Sequence, residues 1–163
     1  MCIRDRDGTL MNIEHRVKYA RKRIPSLLSM TPVPNPDYDY EKFESEIVND
    51  TPNVEVFAIA HALKEQGHRI IIASGRKRKW ARTTLRMLDK YYVWGDSFLD
   101  SWDAHYFRWD DDNRKDSIVK EEMYEVMLED GYDPSLVFDD RQQVVDMWRS
   151  KGIRVCQVAE GNF

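Results

Sequence analysis

Carboxylates and small polar residues follow three short apolar runs of the sequence. The first run is followed by Asp5-Arg6-Asp7-Gly8-Thr9-Leu10, the second by Ser74-Gly75-Arg76, and the third by Asp139-Asp140-Arg141. Such residue types are typical of helix caps and turns, so each set alone says little about chemistry. Their repetition after three apolar runs favours a functional site.

Four of these residues are carboxylates, namely Asp5, Asp7, Asp139 and Asp140. If the fold brings them together, they repel one another unless a cation lies between them. Oxygen ligands without histidine or cysteine favour a hard ion, most simply Mg²⁺. The four aspartates therefore predict a Mg²⁺ site.

The segments around these residues alternate between strand and helix patterns. The β-branched run Arg69–Ala73 predicts a buried parallel strand, and weaker strands are predicted over 104–108, 136–138 and 154–158. Helices are predicted from Thr51, with Pro52 at the first helical position, and over 77–90, 117–129 and 141–151. This alternation predicts an α/β fold with a doubly wound parallel sheet, whose sites lie beyond the carboxyl ends of the strands.

Length and composition are those of one globular domain. The 163 residues carry a net charge of −4, with 42% hydrophobic and 33% charged residues, which excludes a disordered chain. No apolar run approaches the roughly 18 residues of a membrane-spanning helix, and the first residues lack the apolar stretch of a secretory signal. Cys2 and Cys156 form no disulfide framework, so we expect a cytoplasmic protein with no membrane partner.

An irregular stretch interrupts the alternation between residues 17 and 50. It contains Pro32, Pro34 and Pro36 and lacks any repeat. We expect residues 1–163 to form a single domain in which 17–50 is a small helical cap insert.

The motifs DRDGTL, IIIASGR and VFDDRQQVVDMW resemble those of the haloacid dehalogenase (HAD) superfamily of phosphotransferases. The resemblance is closer to one branch, the 3′-phosphatase domains of phage polynucleotide kinase–phosphatases, and covers nearly the whole chain except about 17–50. It implies a Rossmann-like HAD fold and a Mg²⁺-dependent phosphatase. The implied substrate is the 3′-phosphate end of a polynucleotide, either DNA or RNA.

The resemblance also implies which residues act on the phosphate ester. Asp5 would attack phosphorus and form an aspartyl-phosphate, while Asp7 would protonate the leaving oxygen and later activate water. The metal would bind Asp5, the backbone carbonyl of Asp7, Asp139 and Asp140. Substrate-binding roles are implied for Thr9, Arg16, Gly75, Arg76 and Asp112.

Two further residues would contact the phosphoryl group itself. Ser74 would hydrogen-bond one of its oxygens, and Lys115 would neutralise its charge and keep Asp5 ionised. Lys120 is the rival for the lysine role. Lys115 is preferred because a helix is predicted to start just after it, which would let its side chain point into the site.

Two other functions remain open. One is a small-molecule HAD phosphatase acting on a nucleotide or sugar phosphate, and the other is a non-catalytic binding module. A larger closing cap would favour the first, and the intact pair of Asp5 and Asp7 argues against the second. The 163 residues contain no GxxxxGK[ST] motif, so we expect the kinase domain of the phage enzymes to be separate or lost.

A basic segment follows the second motif. From Arg69 to Lys90 there are eight basic residues and one acidic residue, and Arg78, Arg82 and Arg86 recur every four residues. This spacing predicts one stripe on a helix, which we expect to contact the phosphates of the polynucleotide. The five tryptophans are interpreted as core or lid packing: Trp80, Trp94, Trp102, Trp109 and Trp148.

Overall fold

Five parallel strands form the central sheet of the computed structural model, which describes residues 2–4, 7–25, 31–91 and 102–160. The strands in chain order are β1 (Cys2–Arg4), β2 (Met11–Asn12), β3 (Arg23–Ile24), β4 (Val33–Pro34), β5 (Thr51–Pro52), β6 (Ile70–Lys77), β7 (Ala104–Arg108), β8 (Leu136–Asp139) and β9 (Arg154–Gln157). The helices are α1 (Glu14–Ala20), α2 (Tyr40–Ser45), α3 (Val54–Glu65), α4 (Ala81–Tyr91), α5 (Asp116–Glu129) and α6 (Gln142–Ser150).

The sheet order is β7-β6-β1-β8-β9, and every neighbouring pair is parallel. From β1 the chain first adds β6 and β7 on one side, and then crosses over to add β8 and β9 on the other. The strand order therefore reverses at β1, the position where doubly wound sheets bind their ligands. The predicted fold class is confirmed.

Helices cover both faces of the sheet because its central strands are apolar on both sides. Ile71 and Ala73 pack against α5 and α6, in a cluster that includes Met127 and Trp148. On the opposite face, Ile70 and Ile72 belong to a second cluster that also contains these residues from β2 and its preceding turn, α3, α4 and β8: Leu10, Met11, Val56, Phe57, Leu88 and Phe138. Alternate side chains of β6 thus fix the two helical layers.

Strand β6 extends beyond its predicted end. The β-branched run predicted a stop at Ala73, but the strand continues to Lys77 through an irregularity in its pairing with β7. Ser74 pairs with Phe107 and Lys77 with the next residue, Arg108, so Gly75 and Arg76 have no partner across the ladder. Bulges of this kind redirect side chains next to functional sites, and here the bulge carries the second motif.

The predicted helix start at Thr51 and Pro52 is wrong. These residues form β5, which pairs antiparallel with β2, and the helix α3 begins at Val54. Asn53 precedes the helix, and its side-chain amide donates to the backbone oxygen of Thr9 over 2.7 Å. Pairing with β2 overrides the preference of proline for a first helical turn, and it ties this segment to the first motif.

The basic segment is also divided differently from the prediction. Residues 78–80 form a 3₁₀ turn, and α4 begins only at Ala81. The predicted β7 is confirmed at both ends, and α5, β8, α6 and β9 agree to within a residue at each boundary. Within the described part of the chain, no helix is both long enough and apolar enough to cross a bilayer.

The stretch predicted as a cap insert contains most of α1, the small hairpin of β3 and β4, and α2. Asn35 fastens the hairpin to the end of α1, since its side-chain amide donates to the backbone oxygens of Lys18 and Arg21 over 2.7 and 2.6 Å. Asp39 caps α2 by accepting a hydrogen bond from the Lys42 backbone N–H. Helix α2 lies beside the carboxyl ends of the central strands.

Candidate active site

Asp7 lies at the carboxyl end of β1 and is held by two arginines. Arg16 Nη2 lies 2.7 Å from Asp7 Oδ1, and Arg76 Nε lies 2.9 Å from Oδ2. Gly8, which has a φ of 77°, begins the tight turn after Asp7, and its N–H donates to the Met11 carbonyl. Both arginines are buried, so the two guanidiniums fix the Asp7 carboxylate in place.

Arg16 is itself locked from three sides. Its side chain is 0% exposed, forms a bidentate pair with Asp50 at 2.6 and 2.8 Å, and donates to the Phe43 carbonyl at 3.1 Å. Its guanidinium also lies over the Phe43 ring, 4.3 Å from the ring centre. Asp50, at the end of the predicted insert, was not identified from the sequence. Burial lowers the pKa of Arg16, but Asp7 and Asp50 together raise it above its ordinary value.

The bulge of β6 places Ser74, Gly75 and Arg76 around a small pocket. Ser74 is buried, and its hydroxyl oxygen accepts the Arg76 N–H over 3.4 Å. A side chain at Gly75 is excluded, because a Cβ there would lie 1.9 Å from Asp116 Oδ1. Glycine is needed here for close approach rather than for a positive φ.

Asp116, at the first turn of α5, is a second buried carboxylate in the site. It accepts from Arg108 Nη2 at 2.8 Å and from Arg141 Nη1 at 3.3 Å. Burial raises the pKa of Asp116, but the positive charges of Lys120, Arg141 and Arg108 lower it below its ordinary value. Asp116 therefore keeps two arginines beside the pocket, a role that was predicted for none of these three residues.

The pocket between α2 and the strand ends has a volume of about 40 Å³. That is room for a group the size of a few water molecules. Its polar lining is rich in guanidinium groups and its outer wall comes from α2: Asp7, Ser74, Gly75, Arg76, Arg108, Asp116, Arg141, Tyr40, Phe43 and Glu44.

Asp139 and Asp140 end β8 on the other side of β1. Asp139 Oδ2 lies 2.9 Å from Lys120 Nζ, and its Oδ1 accepts the Arg141 N–H. Asp140 Oδ1 accepts the Thr9 hydroxyl at 3.3 Å, whereas Oδ2 accepts no hydrogen bond from the described residues. Burial, and then the charge of Asp139, raise the pKa of Asp140 to about 6.

These carboxylates fit a cation. A buried oxygen that lacks a donor, next to a second carboxylate, is stabilised by a positive ion. Asp5, the fourth predicted ligand, lies outside the described residues. Among the described residues alone, no group of three potential ligands is close enough to hold a metal.

The predicted lysine position differs from the structure. Lys115 precedes α5 as expected, but its side chain is exposed, whereas Lys120 is 0% exposed and contacts Asp139. The pattern that could have identified Lys120 is the buried face of α5, where it follows Asp116 by four residues and lies between Val119 and Met123. A lysine within an apolar stripe needs a buried partner.

Two of the predicted substrate-binding residues also have other neighbours. Thr9 is buried against Asp140, and Asp112 lies on the loop before α5, where it pairs with Arg114 at 2.7 Å. Hydrogen bonds from Arg114 lower the pKa of Asp112 to about 2. Arg16, Ser74, Gly75 and Arg76 lie close to Asp7, whereas Asp112 is outside the small pocket.

The predicted basic stripe is interrupted. Arg82 and Arg86 are exposed on α4, but Arg78 belongs to the 3₁₀ turn and lies over the ring of Trp109 at 4.8 Å. Trp94 is outside the described residues. Trp148 is buried as interpreted from the sequence, whereas Trp109 is 63% exposed.

Comparison with known families gives a match over most of the chain. Residues 34–163 match the family model described as the polynucleotide kinase PNKP phosphatase domain. The matched span includes the second and third motifs, and the DRDGTL segment lies before it.

Solved structures also resemble the chain. A chain in the structure of the Pnkp1/Rnl/Hen1 RNA repair complex is 29% identical, with a TM-score of 0.74, over 99% of this chain and 43% of that one. This chain therefore spans less than half the length of that relative. A haloacid dehalogenase-like hydrolase from Streptococcus pneumoniae shares the fold, with 13% identity and a TM-score of 0.63 over 96% of this chain and 82% of that one.

CbbY from Rhodobacter sphaeroides, solved in complex with phosphate, shares the fold as well. Its identity is 14% and its TM-score 0.60, over 94% of this chain and 83% of that one. At this identity the likeness concerns the arrangement of strands and helices alone.

Proposed function

The chain belongs to the phosphatase-domain family of polynucleotide kinase PNKP, and we propose that it removes 3′-phosphates from polynucleotide ends in a Mg²⁺-dependent reaction. It is a phosphatase of the haloacid dehalogenase type. The observation that carries the proposal is Asp7, clasped by two buried arginines at the edge of a pocket sized for a phosphoryl group. The RNA repair complex that contains the similar chain favours RNA over DNA as the substrate.

The arginines around the pocket bind the phosphoryl group. Arg76 passes from Asp7 to the phosphoryl oxygens, while Arg108 and Arg141 stay fixed by Asp116 and add positive charge at the wall. The Ser74 hydroxyl donates a hydrogen bond to another oxygen of the phosphoryl group. Arg16 does not move, because Asp50 and Phe43 hold it, and it keeps Asp7 in place throughout.

Asp5 and Asp7 carry out the two chemical steps. A carboxylate oxygen of Asp5 attacks phosphorus in line with the ester oxygen, and that oxygen leaves with the proton of Asp7 as the 3′-hydroxyl. A water then attacks the phosphorus of the aspartyl-phosphate and gives a proton to Asp7. The bond between phosphorus and the Asp5 oxygen breaks, so inorganic phosphate is released and Asp5 is restored. The departure of Arg76 removes one of the two positive charges that favour the ionised form of Asp7, which makes its protonation for the first step easier.

Asp139 and Asp140 would hold Mg²⁺, together with Asp5 and the backbone carbonyl of Asp7. When bound, the cation neutralises charge on the transferring phosphoryl group and on the ligand carboxylates. Lys120, rather than Lys115, is the lysine of the site, since it neutralises Asp139 from the buried side.

The experiment is a phosphate-release panel on equal concentrations of candidate substrates. It compares 3′-phosphorylated RNA and DNA oligonucleotides, 5′-phosphorylated oligonucleotides, a 3′-mononucleotide and sugar phosphates. We expect release from the 3′-phosphorylated oligonucleotides with Mg²⁺ and none with chelator. Faster release from the mononucleotide or sugar phosphates would identify a small-molecule phosphatase instead.

Two variants test the assigned steps. Asp5→Asn should abolish turnover without loss of folding. Asp7→Asn should impair an oligonucleotide ester far more than an activated aryl phosphate, because only the alkoxide leaving group needs a proton. The matched control is the surface residue Asp133, for which Asp133→Asn should change neither activity. Equal losses on both esters would remove Asp7 from the acid role.

A further inference from the structure

A larger cleft of about 330 Å³ opens directly beside the phosphate pocket. It lies between the outer edge of β7, the 3₁₀ turn before α4, and the exposed side of α5. We call it the side cleft and define it by Arg78, His105, Phe107, Arg108, Trp109 and Val126. Its volume falls in the range of roughly 300–1,000 Å³ that is typical of sites for small organic groups.

An exposed tryptophan ring lies at the side cleft. Trp109 is 63% exposed, and the Arg78 guanidinium lies 4.8 Å from the centre of its ring. Along β7, the rings of His105 and Phe107 meet edge to face at 5.9 Å. Nucleobases stack on aromatic rings and on arginine planes, irrespective of sequence.

Arg108 links the side cleft to the phosphate pocket. It lines both cavities, and it is fixed by the Gly75 carbonyl at 2.6 Å and by Asp116 at 2.8 Å. The phosphate pocket is too small for a nucleoside, so a nucleoside whose phosphate fills it must extend outwards. The side cleft shares Arg108 with this pocket, so it is a neighbouring cavity that the nucleoside can enter.

The charges around the side cleft suit a polyanion. Its two acidic lining residues, Asp112 and Glu122, both pair with Arg114, each at 2.7 Å. Arg78 and Arg108 add positive charge at the entrance and at the junction with the pocket. These cations can pair with the phosphates of a nucleic-acid strand that occupies the side cleft.

We propose that the side cleft binds the nucleobase of the 3′-terminal nucleotide, stacked on Trp109 and Arg78. This inference rests on the proposed function, because it places the nucleoside whose phosphate occupies the pocket. Stacking is tolerant of base identity, so the cleft selects a base-bearing end rather than a particular sequence.

The test compares Trp109→Ala with Trp109→Phe on two 3′-phosphorylated RNA oligonucleotides, one of them abasic at the terminal nucleotide. Trp109→Ala should raise KM for the normal oligonucleotide about tenfold. It should leave hydrolysis of acetyl phosphate, which carries no ring, unchanged, and Trp109→Phe should restore most of the loss. Tyr38→Ala is the matched control, since Tyr38 is an exposed aromatic beside Lys22 in the insert.

The abasic oligonucleotide separates stacking from structural damage. On the parent protein its KM should also be raised about tenfold, and Trp109→Ala should add no further loss, because both changes remove the same contact. Two outcomes would overturn the base site and leave the proposed function standing, provided that the parent releases phosphate. One is an unchanged KM in Trp109→Ala, and the other is that the losses from Trp109→Ala and from the abasic end add. A parent protein that releases no phosphate from any 3′-phosphorylated oligonucleotide would overturn the proposed function, and the base site with it.

Discussion

Lys115 and Lys120 stand five residues apart, yet among the described residues only Lys120 has a buried carboxylate for a partner. Without divalent cation, Lys120→Met leaves Asp139 buried without its cation. We expect it to lower the free energy of unfolding by about 3–5 kcal/mol. Lys115→Met should stay within about 0.5 kcal/mol of the parent, as surface changes usually do. Urea unfolding in the presence of chelator measures both.

The same urea unfolding is then repeated with Mg²⁺ in place of chelator. Since the cation neutralises the same carboxylates, it should restore part of the stability that Lys120→Met loses and add little to Lys115→Met. Equal stability of the two variants in chelator would show that Lys120 does not balance the charge of Asp139.

Asp140 gives a pH-dependent prediction. Its pKa in the fold is about 6, above its ordinary value of 3.8, so folding favours the protonated carboxyl. The stability that this proton supplies is lost as the pH rises from about 4 to above 6, and the difference corresponds to about 3 kcal/mol. In chelator, Asp140→Asn should therefore be more stable than the parent at pH 7.5 and lose that advantage near pH 4.

Thermal unfolding of both proteins across this pH range provides the measurement. Asp146, an exposed carboxylate on α6, is the control position. The difference in stability between Asp146→Asn and the parent should not change with pH in this way. A parallel pH dependence for parent and Asp140→Asn would contradict the raised pKa.

At the scale of elements, the bulge in β6 depends on Gly75. Gly75→Ala must displace Asp116, because the new Cβ would meet its carboxylate, and Arg108 and Arg141 would then lose their common anchor. We expect a loss of stability of about 1–3 kcal/mol and a fall in kcat at saturating substrate.

Gly67→Ala is the appropriate control for this change. Gly67 has a φ of 80° and open space around its Cα, so alanine there costs roughly 1–2 kcal/mol through backbone strain alone. Both variants should lose stability, but only Gly75→Ala should lose activity per folded molecule. Full kcat in Gly75→Ala would show that the Asp116 anchor is dispensable.

The elements differ in how far the sequence alone could define them. β7 and α5 were predictable because each has a local pattern that its packing respects. The end of β6 was not, since a bulge depends on the register with β7 rather than on the residues of β6 alone. The same holds for Thr51, whose pairing with Asn12 is a contact between distant segments.

The site shows the same division. Ser74, Arg76 and Asp139 lie at the carboxyl ends of β6 and β8, and Asp7 lies shortly after β1, so the rule of strand ends directs attention to all four. Asp116 and Lys120 belong to the buried face of a helix, and their partners come from β7, β8 and the start of α6. No spacing along the chain reveals such partners, although a charged residue within an apolar stripe is a usable signal.

At the scale of the whole molecule, the basic face of α4 should contribute to binding of the polynucleotide substrate. Arg82 and Arg86 are exposed on this helix, whereas Arg78 belongs to the side cleft. Changing both to Gln should flatten the slope of log affinity against log salt for a 3′-phosphorylated oligonucleotide by about 1.4, from about 0.7 for each single-strand phosphate.

Hydrolysis of a 3′-mononucleotide should be unaffected in this double variant, because one nucleotide does not reach α4. Binding titrations at several salt concentrations provide the measurement, with Lys18→Gln and Arg21→Gln, two exposed basic residues at the end of α1, as the paired control. An unchanged slope would make the face of α4 an ordinary solvated surface.

The contact between Arg76 and Asp7 also has a consequence for inhibition by the product, inorganic phosphate. In the proposed mechanism Arg76 leaves Asp7 to bind the phosphoryl group, so inorganic phosphate must compete for Arg76 with a carboxylate that is tethered to the same chain and cannot diffuse away. We therefore expect Asp7 to act as a tethered competitor that helps to displace phosphate after each turnover. The expected consequence is a lower affinity for every phosphate species and weak product inhibition by inorganic phosphate.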